Sequence, residues 1–203
     1  MAQAGQETEV KFHVRRLAEL PARILALGGR LRSTRSHELN LRFDAPDGRL
    51  RRAGHVLRLR RDAAVQLTFK DQSRLHDGIR SRREIELGAA DFDTARQFLE
   101  ALGYVVIFTY EKFRTTYELE SLQIMLDELP LGGFVELEGP PESLKAAAAK
   151  LGLRWQTAVP RSYHELFLQA QRVRALPFSD LTFSNFKGMA IQPSDLALEP
   201  ADE

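Results

Sequence analysis

The stretch Glu7-Thr8-Glu9-Val10-Lys11-Phe12 alternates charged residues with uncharged ones. As a β-strand it places Glu7, Glu9 and Lys11 on one face and Thr8, Val10 and Phe12 on the other. One such row is ordinary on a solvated sheet. This chain repeats it. Arg58 and Arg60 oppose Leu57 and Leu59, and Lys70 shares a face with Gln66 and Thr68 against Leu67 and Phe69. Arg80, Arg82, Glu84 and Glu86 oppose Ile85 and Leu87. Lys112 goes with Arg114, Asp127 with Gln123 and Met125, and Glu136 with Glu138 against Val135 and Leu137.

Working outward, strands are predicted over residues 6–14, 37–44, 54–61, 65–70, 80–87, 109–119, 122–127 and 134–138. Short connections such as Asp62-Ala63-Ala64, Glu120-Ser121 and Gly132-Gly133 make the sheet antiparallel. Amphipathic helices are predicted over 16–27, 92–102 and 144–151, each running into glycine, and a fourth over 161–174, where Ser162 reads as a cap. Residues 1–175 then form one domain, and 176–203 a loosely held C-terminal tail whose Phe178, Phe183 and Phe186 are expected to dock on that domain.

Two architectures fit the alternation. The first is an antiparallel sheet with its charged face in water. The supply of amphipathic helices favours the second. Helices cover the apolar faces while the charged faces close on themselves, giving an α+β fold: a closed antiparallel eight-stranded barrel with a charged bore and helices packed outside. Charges of both signs in such a bore need partners and water. A polyanion with divalent cations would satisfy them, Arg and Lys gripping phosphate oxygens. The carboxylates would hold Mg²⁺ or Mn²⁺, hard ions that prefer oxygen ligands.

Composition narrows the classes. The chain carries 29 Lys+Arg against 28 Asp+Glu, a net charge of +1, which argues against a nucleic-acid binder. It has no Cys, which removes disulfide, zinc-thiolate and thiol-nucleophile chemistry. No apolar run reaches membrane-spanning length and the polar start lacks a secretory pattern, so a cytoplasmic protein without membrane contact is expected. His13, His37, His55, His76 and His164 show no metal-ligand spacing, and His13 is expected at a solvated strand end.

Taken in order, these pieces resemble the CYTH, or triphosphate tunnel metalloenzyme, superfamily. They are Glu7-x-Glu9-x-Lys11, Leu57-Arg58-Leu59-Arg60, Leu67-Thr68-Phe69-Lys70, Arg82-x-Glu84-x-Glu86, Glu111-Lys112-x-Arg114, Asp127 and Glu136-x-Glu138. Leu102-Gly103-Tyr104, Leu131-Gly132-Gly133-Phe134-Val135-Glu136-Leu137-Glu138 and Pro160-Arg161-Ser162-Tyr163 look most like its class IV adenylyl cyclase branch. The resemblance implies a tunnel that binds a triphosphate beside one or two divalent metals. Carried across, Lys11, Arg58, Arg60, Lys70, Arg82, Lys112 and Arg114 form the phosphate grip. Glu7, Glu9, Asp127, Glu136 and Glu138 become metal ligands. Glu84 and Glu86, with Lys11, take the catalytic roles, the two carboxylates orienting a water or fixing the basic residues.

The function implied is a metal-dependent adenylyl cyclase that turns ATP into cyclic AMP and pyrophosphate. A triphosphatase acting on thiamine triphosphate, tripolyphosphate or a nucleoside triphosphate is the alternative, and a non-enzymatic polyphosphate or nucleotide binder the second. Glu38-Leu39-Asn40-Leu41-Arg42-Phe43-Asp44 departs from the cyclase pattern, in which an Asp and a Tyr often precede the Phe-Asp pair. The partner expected is a small-molecule triphosphate, with the chain a monomer or homodimer.

Overall fold

The computed structural model describes residues 5–203, and alternation closes them into a barrel. In chain order the strands are β1 (Gln6–Val14), β2 (Arg30–Asp44), β3 (Val56–Arg61), β4 (Val65–Lys70), β5 (Arg74–His76), β6 (Ile79–Ala89), β7 (Val105–Leu119), β8 (Leu122–Leu129) and β9 (Gly132–Glu138). The wall runs β1-β9-β8-β7-β2-β3-β4-β6 and returns to β1, with Glu7 opposite Arg82 and Glu9 opposite Arg80 at the closing seam. Every pairing between these strands is antiparallel. Closure leaves the wall few free sheet edges. Strand β5 pairs with β6 alone as a hairpin at the rim. Its turn, Asp77-Gly78, holds both residues at positive φ (46° and 79°), the two-residue Asp-Gly geometry that matches strand twist.

Helices α1 (Leu20–Ala26), α2 (Arg49–Arg52), α3 (Phe92–Ala101), α4 (Pro141–Lys150) and α5 (Tyr163–Arg174) pack on this wall. Helix α1 is shorter than predicted because Pro21 lacks an N–H and belongs in a first turn, while Leu17–Glu19 form a separate 3-10 turn. Asp91 caps α3 by accepting from Thr94 N at 2.7 Å. Ser162 and Glu165 cap α5 reciprocally, as the sequence suggested for Ser162. The outward strand residues meet these helices in separate apolar clusters. Val10, Phe12, Val135 and Leu137 pack with Ile24 of α1 and Leu144 of α4; Leu41, Phe43 and Leu59 pack with Phe92, Ala95 and Leu99 of α3. Each such side chain removed from water contributes about 1.5–3 kcal/mol. Helix α5 lies across one end of the bore, with Leu166, Phe167 and Ala170 against Phe108, Leu131 and Phe134. Among the described residues no helix is long and apolar enough to cross a membrane.

Further features differ from the sequence reading. Strand β2 begins at Arg30 rather than near residue 37, because its first half is exposed on both faces and carries no apolar alternation. Pairing with β7, through register shifts around Ser33 and Ser36, holds it instead. The tail is packed, not loose. Strand β8 pairs with β7 only from Phe113 onward, which leaves Thr109–Glu111 with a free edge. Leu181 fills it, donating to Thr109 O and accepting from Glu111 N at 2.9 Å each. Phe178 and Phe186 pack on Phe167, and Asp202 accepts from the backbone N–H of Arg15 (2.9 Å) and Arg16 (2.7 Å). His13 is consequently buried, edge-on to Phe134, with Ala201 N bonded to its carbonyl. At the far end of β9 the chain passes so close to Ser121 and Leu122 that a Cβ on Gly139 would lie 2.6 Å from Leu122 Cδ2, so only glycine fits.

Candidate active site

Inward-facing side chains surround one cavity of about 310 Å³. All seven residues predicted to grip phosphate line it: Lys11, Arg58, Arg60, Lys70, Arg82, Lys112 and Arg114. Arg42 and Arg80 join them, so nine cations face six carboxylates, Glu7, Glu9, Glu84, Glu86, Glu136 and Glu138. Asp127 is the exception among the predicted residues. It lies fully buried beneath the cavity floor.

Asp127 organises that floor. Its carboxylate accepts from Lys112 Nζ at 2.9 Å, from Arg114 Nε and Nη2 at 2.6 Å each, and from the Tyr163 hydroxyl at 2.8 Å. Glu38 sits further from the same cations, 3.5 Å from Lys112 and 3.8 Å from Arg114. Burial alone would raise Glu38, but Lys112 and Arg114 hold it down at about 2. Glu136 is bridged to Lys11 at 3.1 Å and to Arg114. Against the cost of burial, these cations keep Glu136 well below the usual carboxylate range. The Lys11 ammonium also lies 4.1 Å from the centre of the Tyr163 ring, a cation–π contact.

The seam between β1 and β6 is acidic and less balanced. Glu7 accepts from Lys70 (2.6 Å) and Arg82 (2.7 Å), which overcome its burial and hold it at about 2. Glu84 shares Lys70 at 3.0 Å, yet burial, aided by Glu7, pushes it up to about 7. Glu9 and Glu138 stand directly opposite each other on β1 and β9. Arg82 is the ion partner of Glu9, at 3.9 Å, and Glu138 has none among the described residues. Burial, then Glu7 and Glu9, raise Glu138 to about 7; burial, Glu7 and Glu136 raise Glu9 likewise.

The third wall presents Arg58, bonded to Thr68 Oγ1 at 3.1 Å and Tyr110 at 3.5 Å, and Arg60, bonded to Gln66 and paired with Asp62 at 3.3 Å. Glu86 accepts from Thr68 at 3.4 Å. The Nε atoms of Arg58 and Arg60 and the Asn40 amide are buried without a hydrogen-bond partner among the described residues. The arrangement therefore offers fixed cations to an anion and two mutually repelling carboxylates to a cation. Among the described residues no three His, Cys, Asp or Glu groups converge on one metal position. That suits an ion needing only one or two protein carboxylates, as Mg²⁺ does when phosphates supply the remaining ligands.

Several bore residues were not assigned a role from sequence. Glu38, Asn40 and Arg42 were read as departures from a pattern, but their parity against the buried Leu41 and Phe43 marks them as inward. Tyr110 shares parity with Lys112 and Arg114 and was equally legible. Tyr163 and His164 carry no such signal, since a helix crossing the bore brings them in.

Comparison with known proteins agrees with this geometry. The CYTH domain family model matches residues 5–163. No curated protein matches the sequence. A Vibrio parahaemolyticus structure described as a candidate adenylate cyclase superposes with a TM-score of 0.73 at 23% identity, covering 81% of this chain and 99% of that one. The PH1012 protein of Pyrococcus horikoshii gives 0.66 at 24% identity, over 77% and 96% of the two chains. A Hippeastrum structure, described as a candidate adenylyl cyclase with a dominant triphosphatase activity, gives 0.56 at 20% identity, over 70% and 84%. At these identities the likeness establishes the fold. With the family model spanning most of the chain and the tunnel's charged rows in place, this protein belongs to the CYTH domain family.

Proposed function

We propose that this protein is a divalent-metal-dependent triphosphatase, which binds a triphosphate in the bore and hydrolyses its terminal phosphoanhydride. The carrying observation is the cavity lining: a wall of cations held in place by protein partners, facing Glu9 and Glu138, which repel one another. Phosphoryl transfer asks chiefly for positioning and charge neutralisation, and preset guanidinium and ammonium groups supply both.

Glu9 and Glu138 would hold Mg²⁺ or Mn²⁺ together with phosphate oxygens and water. Bound there, the metal would supply neutralisation of phosphate charge and polarisation of the phosphorus. Glu7 and Glu136 are already engaged by two cations each, so their main part is to fix Lys70, Arg82, Lys11 and Arg114. Asp127 positions Lys112 and Arg114 from below and touches no substrate. Glu84, raised to about 7, accepts a proton from the attacking water. The water oxygen bonds to the terminal phosphorus, the bridging P–O bond breaks, and a diphosphate leaves.

A cyclase is the second reading, favoured by the class IV character of Pro160-Arg161-Ser162-Tyr163 and of the β9 run. There the ribose 3′-hydroxyl would attack the α-phosphorus, Glu84 would take its proton, and pyrophosphate would leave. A lining this heavily charged favours phosphate over a purine, and the Hippeastrum protein of the same fold pairs a cyclase description with dominant triphosphatase activity. Orthophosphate release from tripolyphosphate in EDTA, Mg²⁺ and Mn²⁺ tests the proposal. Release is expected only with metal, and Glu138→Gln is expected to lower it at least about 100-fold. Equal release in EDTA would overturn the metal assignment.

A further inference from the structure

Of the nine cations lining the cavity, eight have a protein partner; Arg42 has none among the described residues. Its position is not optional. Leu41 and Phe43, on either side, are buried outside the barrel with α3, so strand parity drives Arg42 into the bore, and turning it out would expose both. Across the sheet Arg42 stands directly opposite Arg58 on β3 and Phe108 on β7. Two like charges in directly opposed positions destabilise a sheet unless something of opposite sign lies between them.

Among the described residues no carboxylate forms an ion pair with Arg42. Glu165, the α5 carboxylate that acts on Arg42 electrostatically, is committed to its own cap, accepting from Ser162 N and Oγ at 2.7 Å each. His164 lines the same wall, its ring 4.3 Å from Phe108, and burial together with Arg42 and Arg51 pushes it down to about 4. It therefore faces the cavity neutral at physiological pH. The local excess is cationic.

We propose that Arg42, beside Arg58 and His164, forms an additional anion subsite that extends the triphosphate grip by one phosphate group, making linear inorganic oligophosphates of four or more phosphates the preferred substrate class over nucleotides. This rests on the triphosphate reading of the bore. A charge-assisted guanidinium–phosphate contact made only by the longer anion raises its affinity by about tenfold or more. A nucleoside carried to the same place would set an uncharged sugar between two guanidinium groups.

Calorimetric titration of the full chain with inorganic tetraphosphate, tripolyphosphate and ATP, each in EDTA, where no turnover is expected, tests it by binding alone. The wild type is expected to bind tetraphosphate at least tenfold more tightly than tripolyphosphate or ATP. Arg42→Gln is expected to shrink the tetraphosphate-to-tripolyphosphate ratio below threefold, whatever happens to overall affinity, and Arg42→Lys to restore part of it. A wild type with no such preference, or a ratio unchanged in a folded Arg42→Gln, overturns the subsite. Binding with the expected preference but no turnover once Mg²⁺ is added would count against the hydrolytic reading and support the subsite.

Discussion

Replacing Asp127 with Asn keeps the volume of the side chain and removes its charge beneath three donors. Lys112 then loses its closest anion, at 2.9 Å, and Arg114 its two-point contact at 2.6 Å, in a place where the carboxylate itself is fully buried. Breaking one side of a buried ion pair costs about 3–5 kcal/mol, because the surviving charge stays desolvated. Glu38 and Glu136 remain near both cations, which places the expected loss at the lower end, about 3 kcal/mol. For a chain of this size that corresponds to a fall in Tm of about 6–12 °C. Thermal melts followed by circular dichroism measure it. Saturating tripolyphosphate should recover more Tm in Asp127→Asn than in the wild type, since the ligand supplies negative charge to the same two cations. A Tm within 2 °C of wild type, or equal ligand shifts in both proteins, would refute the idea that Asp127 sets the cationic floor.

Other consequences are as direct. Glu84 and Glu138, raised to about 7, are protonated in the folded protein at pH values where the unfolded chain has released those protons. Metal-free stability should therefore fall as pH rises from about 4.5 through 7. Glu7 and Glu38, held at about 2, act oppositely and lose their stabilisation as pH drops from about 4.5 towards 2. Melts in EDTA should accordingly peak near pH 5, and Mg²⁺ should flatten the upper limb; stability climbing steadily from pH 5 to 8 in EDTA would contradict the assignment. Activity should rise with pH through about 7 as Glu84 loses its proton, and Glu84→Gln should abolish that rise along with most of the rate. Leu181→Ala removes a fully buried side chain from the tail and should cost about 2–5 kcal/mol, read as a drop in urea midpoint. An unchanged midpoint would mean that the tail does not support the barrel.

Strand parity made most of the bore legible. Lys11, Arg58 and Glu136 each oppose outward residues that pack with the helices, and a period of two leaves a strand only one way to face. The same rule applied to residues 38–44 would have turned Glu38, Asn40 and Arg42 inward. What sequence alone could not supply was anything set by distant packing. Tyr163 reaches Asp127 because α5 crosses the bore. Leu181 pairs with Tyr110 because β8 leaves the edge of β7 free there. Residue type likewise could not sort the acids. Glu7 and Glu138 read alike in sequence, yet two cations hold one at about 2 while burial and neighbouring carboxylates lift the other to about 7.

The central claim is tested most directly by identifying the products of metal-dependent turnover, with ATP and tripolyphosphate offered in parallel to the wild-type protein in Mg²⁺ and in Mn²⁺. The account predicts orthophosphate with a diphosphate product from each. Cyclic AMP with pyrophosphate as the main products from ATP would contradict it and establish the cyclase.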